Sequence, residues 1–488
     1  MNKQPTSIDV VWFKRDLRLQ DHAPLKTAID TCKGDTKRPL LLLYCFEPSV
    51  IANANYDQRH WRFVYESLTD LNQQLADLHY KNLSQDTHKG PFIWVFYREV
   101  LDVLSAIQTQ FTIHTLYSHQ ETGLKITYNR DKEIAKFCQK QEIIWLEFPS
   151  DAVVRGKKRT LSWEKRWEKT MQAPQQNPDL HRFFPAAVSS QWFEDERGSN
   201  LPIEWQTPHP HFQPGGERSG QRYLASFLTK RMAFYEESIS KPLESRRGCS
   251  RLSPYLAWGC LSARQVYQAY FYRTHTLKEA NPSALFIARL RARTYFIQQF
   301  EANDRIEFEN KSKAFDKIIM NKNVSHFKAW CEGKTGFPIV DACMRCLIAT
   351  GYLNFRMRAL LISFLTHHLF QHWQLGGQHL ARMFTDFEPG IHYAQIQLQS
   401  GMLGSTRQPI RIYNPVKQSQ EHDPEGIFIK QWVPELANCP ITYIHTPWEI
   451  PMLEQEMLNL RIGDNYPTPI IDIKHTFHYA QKQLYKNR

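Results

Sequence analysis

Short, mostly apolar runs punctuate the first 150 residues. Positions 10–13 (Val-Val-Trp-Phe), 40–46, 92–96, 115–117 and 143–148 each carry such a run. Runs this short, with neither face left polar, suit strands buried on both faces of a parallel sheet. Between them, 60–78, 99–110 and 127–141 repeat apolar residues at helical spacing, the pattern of amphipathic helices. The alternation predicts a doubly wound α/β domain over residues 1–149.

The pattern then changes. Eight prolines fall between 149 and 214, which predicts an extended connector over 150–215, with one helix over 162–171. From residue 216 to 488 strand signals fade and helical periodicity takes over, most clearly at 285–300, 340–350 and 359–373. The last is apolar almost all round, as a helix central to a helical domain would be. The expected architecture is therefore α/β plus all-α.

Composition refines this little. A chain with 42% hydrophobic and 23% charged residues is globular rather than disordered or fibrous. No run approaches about 18 apolar residues, so no membrane span is expected. The opening residues lack an apolar signal core, and the nine cysteines have no regular spacing. Both fit a cytoplasmic monomer with reduced thiols. Charge adds more. Residues 1–150 hold 18 Lys/Arg and 18 Asp/Glu, whereas 151–488 hold 43 and 31, so the whole excess of +12 lies in the latter part. A basic surface there suits a polyanion such as nucleic acid, or serves solubility alone.

Several common motifs are missing. The α/β region has only Gly34, Gly90 and Gly123, too few and too scattered for a dinucleotide-binding turn, and no P-loop or zinc-protease motif occurs. Cys343 and Cys346 form a lone C-x-x-C on an expected helix, and His368 and His372 stand one helical turn apart. Core packing explains both pairs better than metal binding, and no metal is expected.

Five segments carry the chemistry. They are Trp12-Phe-Lys-Arg-Asp-Leu-Arg18; Gly248-Cys-Ser-Arg-Leu-Ser-Pro-Tyr-Leu-Ala-Trp-Gly259; Gly336 to Arg345 with Asn354 to Arg358; Asp386-Phe-Glu388; and Arg411 to Pro415 leading to Trp432 to Leu436. Ser250, Arg251 and Ser253 before a helix suit a diphosphate, or form an ordinary cap with a solvated arginine. Arg356 and Arg358 need acidic partners if buried, and Asp386 and Glu388 are the candidates. In this order the segments resemble the photolyase/cryptochrome family over nearly the whole chain.

The resemblance implies an antenna-type α/β domain and a helical domain holding FAD beside a DNA-facing surface. It implies cofactor contacts from Tyr235, Cys249, Ser250, Arg251, Leu252, Ser253, Arg293, Asn354, Arg358, Asp386, Glu388 and His392. Of these, Arg358, Asp386 and His392 flank the reacting ring, and the imidazole could donate a proton there. It implies DNA contacts from Arg289, Arg293, Tyr352, Phe355 and Arg356. Trp373 matches the middle of the family's electron-transferring tryptophan chain, whose other positions hold Ile396 and Met320. That departure resembles a divergent bacterial subgroup. The implied activity is light-driven repair of pyrimidine dimers in UV-damaged DNA, cyclobutane dimers or (6-4) products; the alternative is a flavin photoreceptor. A second antenna chromophore, of folate or deazaflavin type, is also implied as possible by the family.

Overall fold

The computed structural model describes residues 6–31, 37–82, 90–156, 163–276, 278, 283–317, 320–321, 323–402 and 411–486. Gly34 and the first residue of the helix expected over 162–171 lie outside them. The chain forms two compact units. One comprises 1–226, 252–279 and 287–302, and the other 227–251, 280–286 and 303–488. The connector therefore folds with the sheet, and two later segments return to it.

The first unit is built on five parallel strands, β1 (Thr6–Phe13), β2 (Leu40–Cys45), β3 (Ile93–Phe96), β4 (Phe111–His119) and β5 (Ile144–Phe148). Their order is β3-β2-β1-β4-β5, with Val10 beside Leu41 on one side and Leu116 on the other. Ile8, Val10 and Trp12 share one face with Leu41, Leu43 and Phe96 and pack on Val103, Leu104 and Ile107 of the helix Val100–Gln110. Val11 and Phe13 are buried on the other face, as strands covered on both sides require. β5 departs from the expected buried strand: Ile144 is 50% and Leu146 39% exposed. It pairs only with β4 at the sheet edge. The connector is tied to the sheet by main-chain bonds, Leu40 N–H to the Phe184 carbonyl at 2.8 Å and Tyr97 N–H to the Arg197 carbonyl at 2.8 Å.

Two of the five motif segments meet in this unit. The Leu17 N–H donates to the Trp258 carbonyl at 3.1 Å, Arg15 Nε to the Ala257 carbonyl at 3.1 Å, and an Arg18 terminal nitrogen to the Gly259 carbonyl at 3.0 Å. Gly259 has φ of +69°, and a Cβ there would lie 2.2 Å from the Arg15 carbonyl oxygen. Only glycine fits both constraints.

The second unit is helical around Pro338–Thr350, of whose 13 residues ten are buried. Asp341 in its first turn is fully buried and accepts from the Thr335 N–H and hydroxyl at 2.7 Å and from the Tyr466 hydroxyl at 2.6 Å. Burial raises its pKa to about 6, against those hydrogen bonds. The single helix expected over 359–373 is broken. Phe355–Ser363 runs into a wider π turn, Phe364–His368, and Phe370 takes φ of +53° before a new helix, Trp373–Met383. A Cβ on Gly376 would lie 2.1 Å from Leu365 Cδ2, so the glycine lets the second helix sit against the π turn. Local periodicity cannot register such a tertiary contact. Among the described residues, no helix is long and apolar enough to cross a membrane.

Candidate functional site

The start of the helix Phe355–Ser363 organises the second unit's polar centre. Asn354 is its N-cap but makes no side-chain cap bond. Its Nδ2 donates instead to the Ile239 carbonyl at 3.0 Å, leaving Oδ1 buried and unpartnered. A buried acceptor without a donor costs about 1–3 kcal/mol, and a ligand N–H at this position would satisfy it. One turn on, Arg358 holds Asp386 with two parallel bonds of 3.0 and 2.8 Å. Its Nε is fixed by the Leu353 carbonyl at 2.7 Å, and its guanidinium carbon lies 3.9 Å from the Phe384 ring centre. The pairing expected from sequence is present. Glu388, also buried, is the N-cap of the helix Pro389–Gln399.

His392 lies on that helix, buried, with Nε2 2.8 Å from the Gly377 carbonyl oxygen. A carbonyl accepts only, so Nε2 carries the proton and Nδ1 is an acceptor. Burial pushes its pKa down to about 4, with Arg358 adding to the effect and the Gly377 bond and Asp386 opposing it. It is neutral at pH 7 with its one proton engaged. With Nε2 engaged by Gly377, Nδ1 is the remaining acceptor.

The loop at Cys249, Ser250 and Arg251 gathers arginines that the motif alone did not reveal. Arg231 donates to the carbonyls of Cys249 and of Ser250, the latter at 3.2 Å. Arg251 has φ of +59° and its guanidinium carbon lies 3.7 Å from the Tyr352 ring centre. Arg246 bonds the Thr350 hydroxyl at 3.2 Å and sits 5.9 Å from the same ring. Three guanidinium groups around one strained loop suit a phosphate. Burial keeps the Cys249 thiol protonated, with its pKa raised to about 11. Tyr352 departs from its expected role at a DNA surface. It is only 9% exposed and covered by Arg251, because the cation and ring satisfy each other. Tyr235 is buried between Phe227 and Phe286 in the same unit.

Leu252 and Ser253 belong to the first unit, where Ser253–Ala257 is a helix of only five residues without a side-chain cap. It lends little of the dipole expected for an anion cradle. Arg293, also in the first unit, is bonded to Asp151 at 2.7 Å and to the Leu256 carbonyl at 2.7 Å. It does not share a free basic face with Arg289, which is exposed; the nearby carboxylate holds it. In the second unit Phe355 is 39% exposed and Arg356 half-buried. Desolvation lowers the His422 pKa, Arg356 and then Lys241 lower it further, and Glu421 opposes them. Trp373 is fully buried, bonds Asn310 at 2.6 Å and meets the Tyr393 ring edge-on at 6.3 Å; Tyr393 meets His392 at 5.4 Å.

Among the described residues, metal chemistry has one geometric candidate. Asp16, His22 and His119 bring one ligand atom each to within 4.8 Å of one another. His22 Nδ1 accepts from the Leu25 N–H at 3.1 Å, so its Nε2 carries the proton given to Asp16 at 3.0 Å. His119 gives Asp16 its Nδ1 proton at 2.7 Å, while Asp16 accepts the Lys14 N–H at 2.7 Å. A metal on His22 Nε2 would force a proton onto Nδ1, against the Leu25 N–H. The cluster is a satisfied structural network. Cys343 and Cys346 are buried thiols with raised pKa values, and His368 and His372 lie on opposite sides of the helix break.

The crevice at the carboxyl ends of β2, β1 and β4 includes the point between β1 and β4 where the strand order reverses, the place where an α/β sheet takes a ligand. Here Arg130 fills it, bonded to Glu47 at 2.6 Å, Glu121 at 2.5 Å and Asp131 at 2.9 Å, with its guanidinium carbon 4.7 Å from the Trp12 ring centre. The remaining space is about 40 Å³, room for water but far below the ~300 Å³ or more of a ring-sized pocket. As arranged, this crevice leaves no room for a ring-sized chromophore.

Comparison with known families places this geometry. Residues 286–486 match the FAD binding domain of DNA photolyase, and 9–175 match DNA photolyase. The chain belongs to the photolyase/cryptochrome family. A cryptochrome DASH of Gloeobacter violaceus is 28% identical over 96% of this chain and 94% of its own length. A deoxyribodipyrimidine photo-lyase of Vibrio cholerae is also 28% identical, over 93% and 96%. The fold is that of a bacterial class III photolyase from Agrobacterium tumefaciens, with TM-score 0.80 and 23% identity over 100% of this chain and 98% of that one. The family's FAD fits the second unit: Asn354 Oδ1 awaits a donor, Arg358 and Asp386 present a fixed ion pair, and the arginines at 249–251 suit its diphosphate.

Proposed function

We propose that this chain repairs UV-induced pyrimidine dimers in DNA under blue light, with the cyclobutane dimer as substrate. The observation that carries the reading is the first turn of the helix Phe355–Ser363. There Arg358 is held by Asp386 in the polar centre, while Phe355 is exposed and Arg356 adds charge beside it. An exposed aromatic ring and a cation next to a cofactor site suit a flipped base and its phosphate. The excess of +12 outside residues 1–150 supports a polyanionic substrate.

Arg231 and Arg251 would hold the FAD diphosphate, Asn354 Oδ1 would accept from a ring or adenine N–H, and Arg358 and Asp386 would fix the isoalloxazine edge. Reduced FAD, when bound, supplies a photoexcited electron donor. The chain's own work is to orient the cofactor, exclude water with the buried ring cluster around His392, and steady the lesion. A damaged pair is poorly stacked, which lowers the cost of extrusion, otherwise a few kcal/mol.

The test is repair of oligonucleotides carrying one defined cyclobutane dimer or (6-4) product, by protein whose flavin is chemically reduced beforehand. Loss of the cyclobutane dimer in blue light and not in darkness is expected. Repair of the (6-4) product alone would change the substrate. No repair of either by fully loaded protein would favour a photoreceptor.

A further inference from the structure

The first unit holds a second, larger cleft, of about 890 Å³, away from the Arg130 crevice. Among the described residues, no Asp, Glu, Lys or Arg lines it. That is unusual in a chain with 23% charged residues. Six carboxamides line it instead: Gln20 after β1, Gln172 and Gln175 from the connector, Gln221 on the helix Glu217–Ser226, and Gln265 and Gln268 on the helix Ala263–Phe271.

Their hydrogen bonds divide them. Gln268 is used by the fold, donating to the Met171 and Ala173 carbonyls at 2.9 and 2.8 Å and accepting from Gln175 at 3.1 Å. That leaves the Gln175 carbonyl oxygen. Gln265 Oε1 accepts the Ser262 N–H at 2.8 Å in a capping box, so its amide nitrogen is the free end; it is buried without a partner. Gln20, Gln172 and Gln221 keep whole carboxamides. Acceptors and donors from four chain segments therefore converge.

Beside them runs an aromatic ladder. Tyr267 and Phe271 have ring centres 4.4 Å apart, and Phe271 and His275 4.9 Å apart, at four-residue spacing along one helix face. Tyr272 next to it is 55% exposed. Rings and carboxamides lining one cleft suit a flat ligand whose edge carries both donors and acceptors. The absence of lining cations disfavours a phosphate.

We propose that this cleft is a binding site for an uncharged nucleobase or nucleoside, separate from the FAD site and independent of the repair reading. The test is ligand-observed NMR and calorimetry on the flavin-loaded full chain with adenosine and thymidine, and with adenosine 5′-monophosphate and maltose as comparisons. Saturable nucleoside binding with Kd on the order of 100 μM is expected. The double variant Gln172→Ala/Gln221→Ala should weaken it about tenfold, with flavin content and melting temperature unchanged, since neither side chain serves the fold. Tyr272→Ala, at an exposed ring, checks the stacking wall separately. Failure of both nucleosides to saturate by about 10 mM would overturn the proposal. So would unchanged affinity in the double variant, tighter binding of the monophosphate, or preference for maltose.

Discussion

Asp386→Asn tests the polar centre most directly. The substitution keeps the side chain's shape but removes its charge and turns one of two acceptors into an N–H₂ facing the Arg358 guanidinium. Both bonds are short, 3.0 and 2.8 Å, and the Asp386 side chain is only 6% exposed. Breaking a fully buried pair costs about 3–5 kcal/mol. Arg358 is 27% exposed and keeps its bond to Leu353 and its place over Phe384, so water screens part of the loss. We expect a cost of about 2 kcal/mol, divided between stability and cofactor affinity. If it fell wholly on stability, the cofactor-free melting temperature would drop by about 4–8 °C. If it fell wholly on binding, FAD affinity would drop about 30-fold. Calorimetry of the cofactor-free protein and fluorescence titration with FAD separate the two. A variant that melts within 1 °C or so of the parent and binds FAD within about twofold would refute the coupling.

His392→Asn should flatten the acid side of the stability profile. The folded pKa of about 4 lies below the usual 6.5, so this group costs nothing above pH 6.5 and costs stability as pH falls from there toward 4. From pH 7 to 5 the variant should gain about 2 kcal/mol on the parent in denaturant unfolding, and parallel profiles would contradict the buried neutral imidazole. Arg130→Met should destabilise the first unit by about 3–5 kcal/mol by leaving Glu47 and Glu121 without their cation, while Asp131 keeps Lys14 and Arg155. A loss below about 1 kcal/mol in the same assay would show that the network is not coupled. Tyr393→Phe, which keeps the ring contacts to Trp373 and His392 but removes the oxidisable phenol, should slow flavin photoreduction, measured by the decay of oxidised-flavin absorbance. An unchanged rate would place the electron route elsewhere.

Much of the fold is written in local patterns. The apolar runs at 10–13 and 40–46 mark β1 and β2, and the helices at 58–82, 100–110 and 125–140 follow their expected periodicity. Charge alone narrows the partner of Arg358 to Asp386 or Glu388, since a buried arginine needs a carboxylate, and the family resemblance picks Asp386. What failed did so where a distant neighbour decided. β5 is apolar like the other strands, yet it stands at the sheet edge, paired among the described residues with β4 alone, and is partly exposed. The run 359–373 is helical in composition, and the break follows from packing against Gly376. Tyr352 reads as a surface ring until Arg251 is seen over it.

The sequence by itself determined the strand–helix alternation, the basic latter part and the family motifs, because these depend on spacing and on residue type. Only the tertiary structure decided which arginines gather at 249–251, which His392 nitrogen holds the proton, and that Arg130 occupies the crevice. Those are properties of distances between residues far apart in the chain. Hydrogen-bond direction and desolvation follow from such distances and leave no local signature.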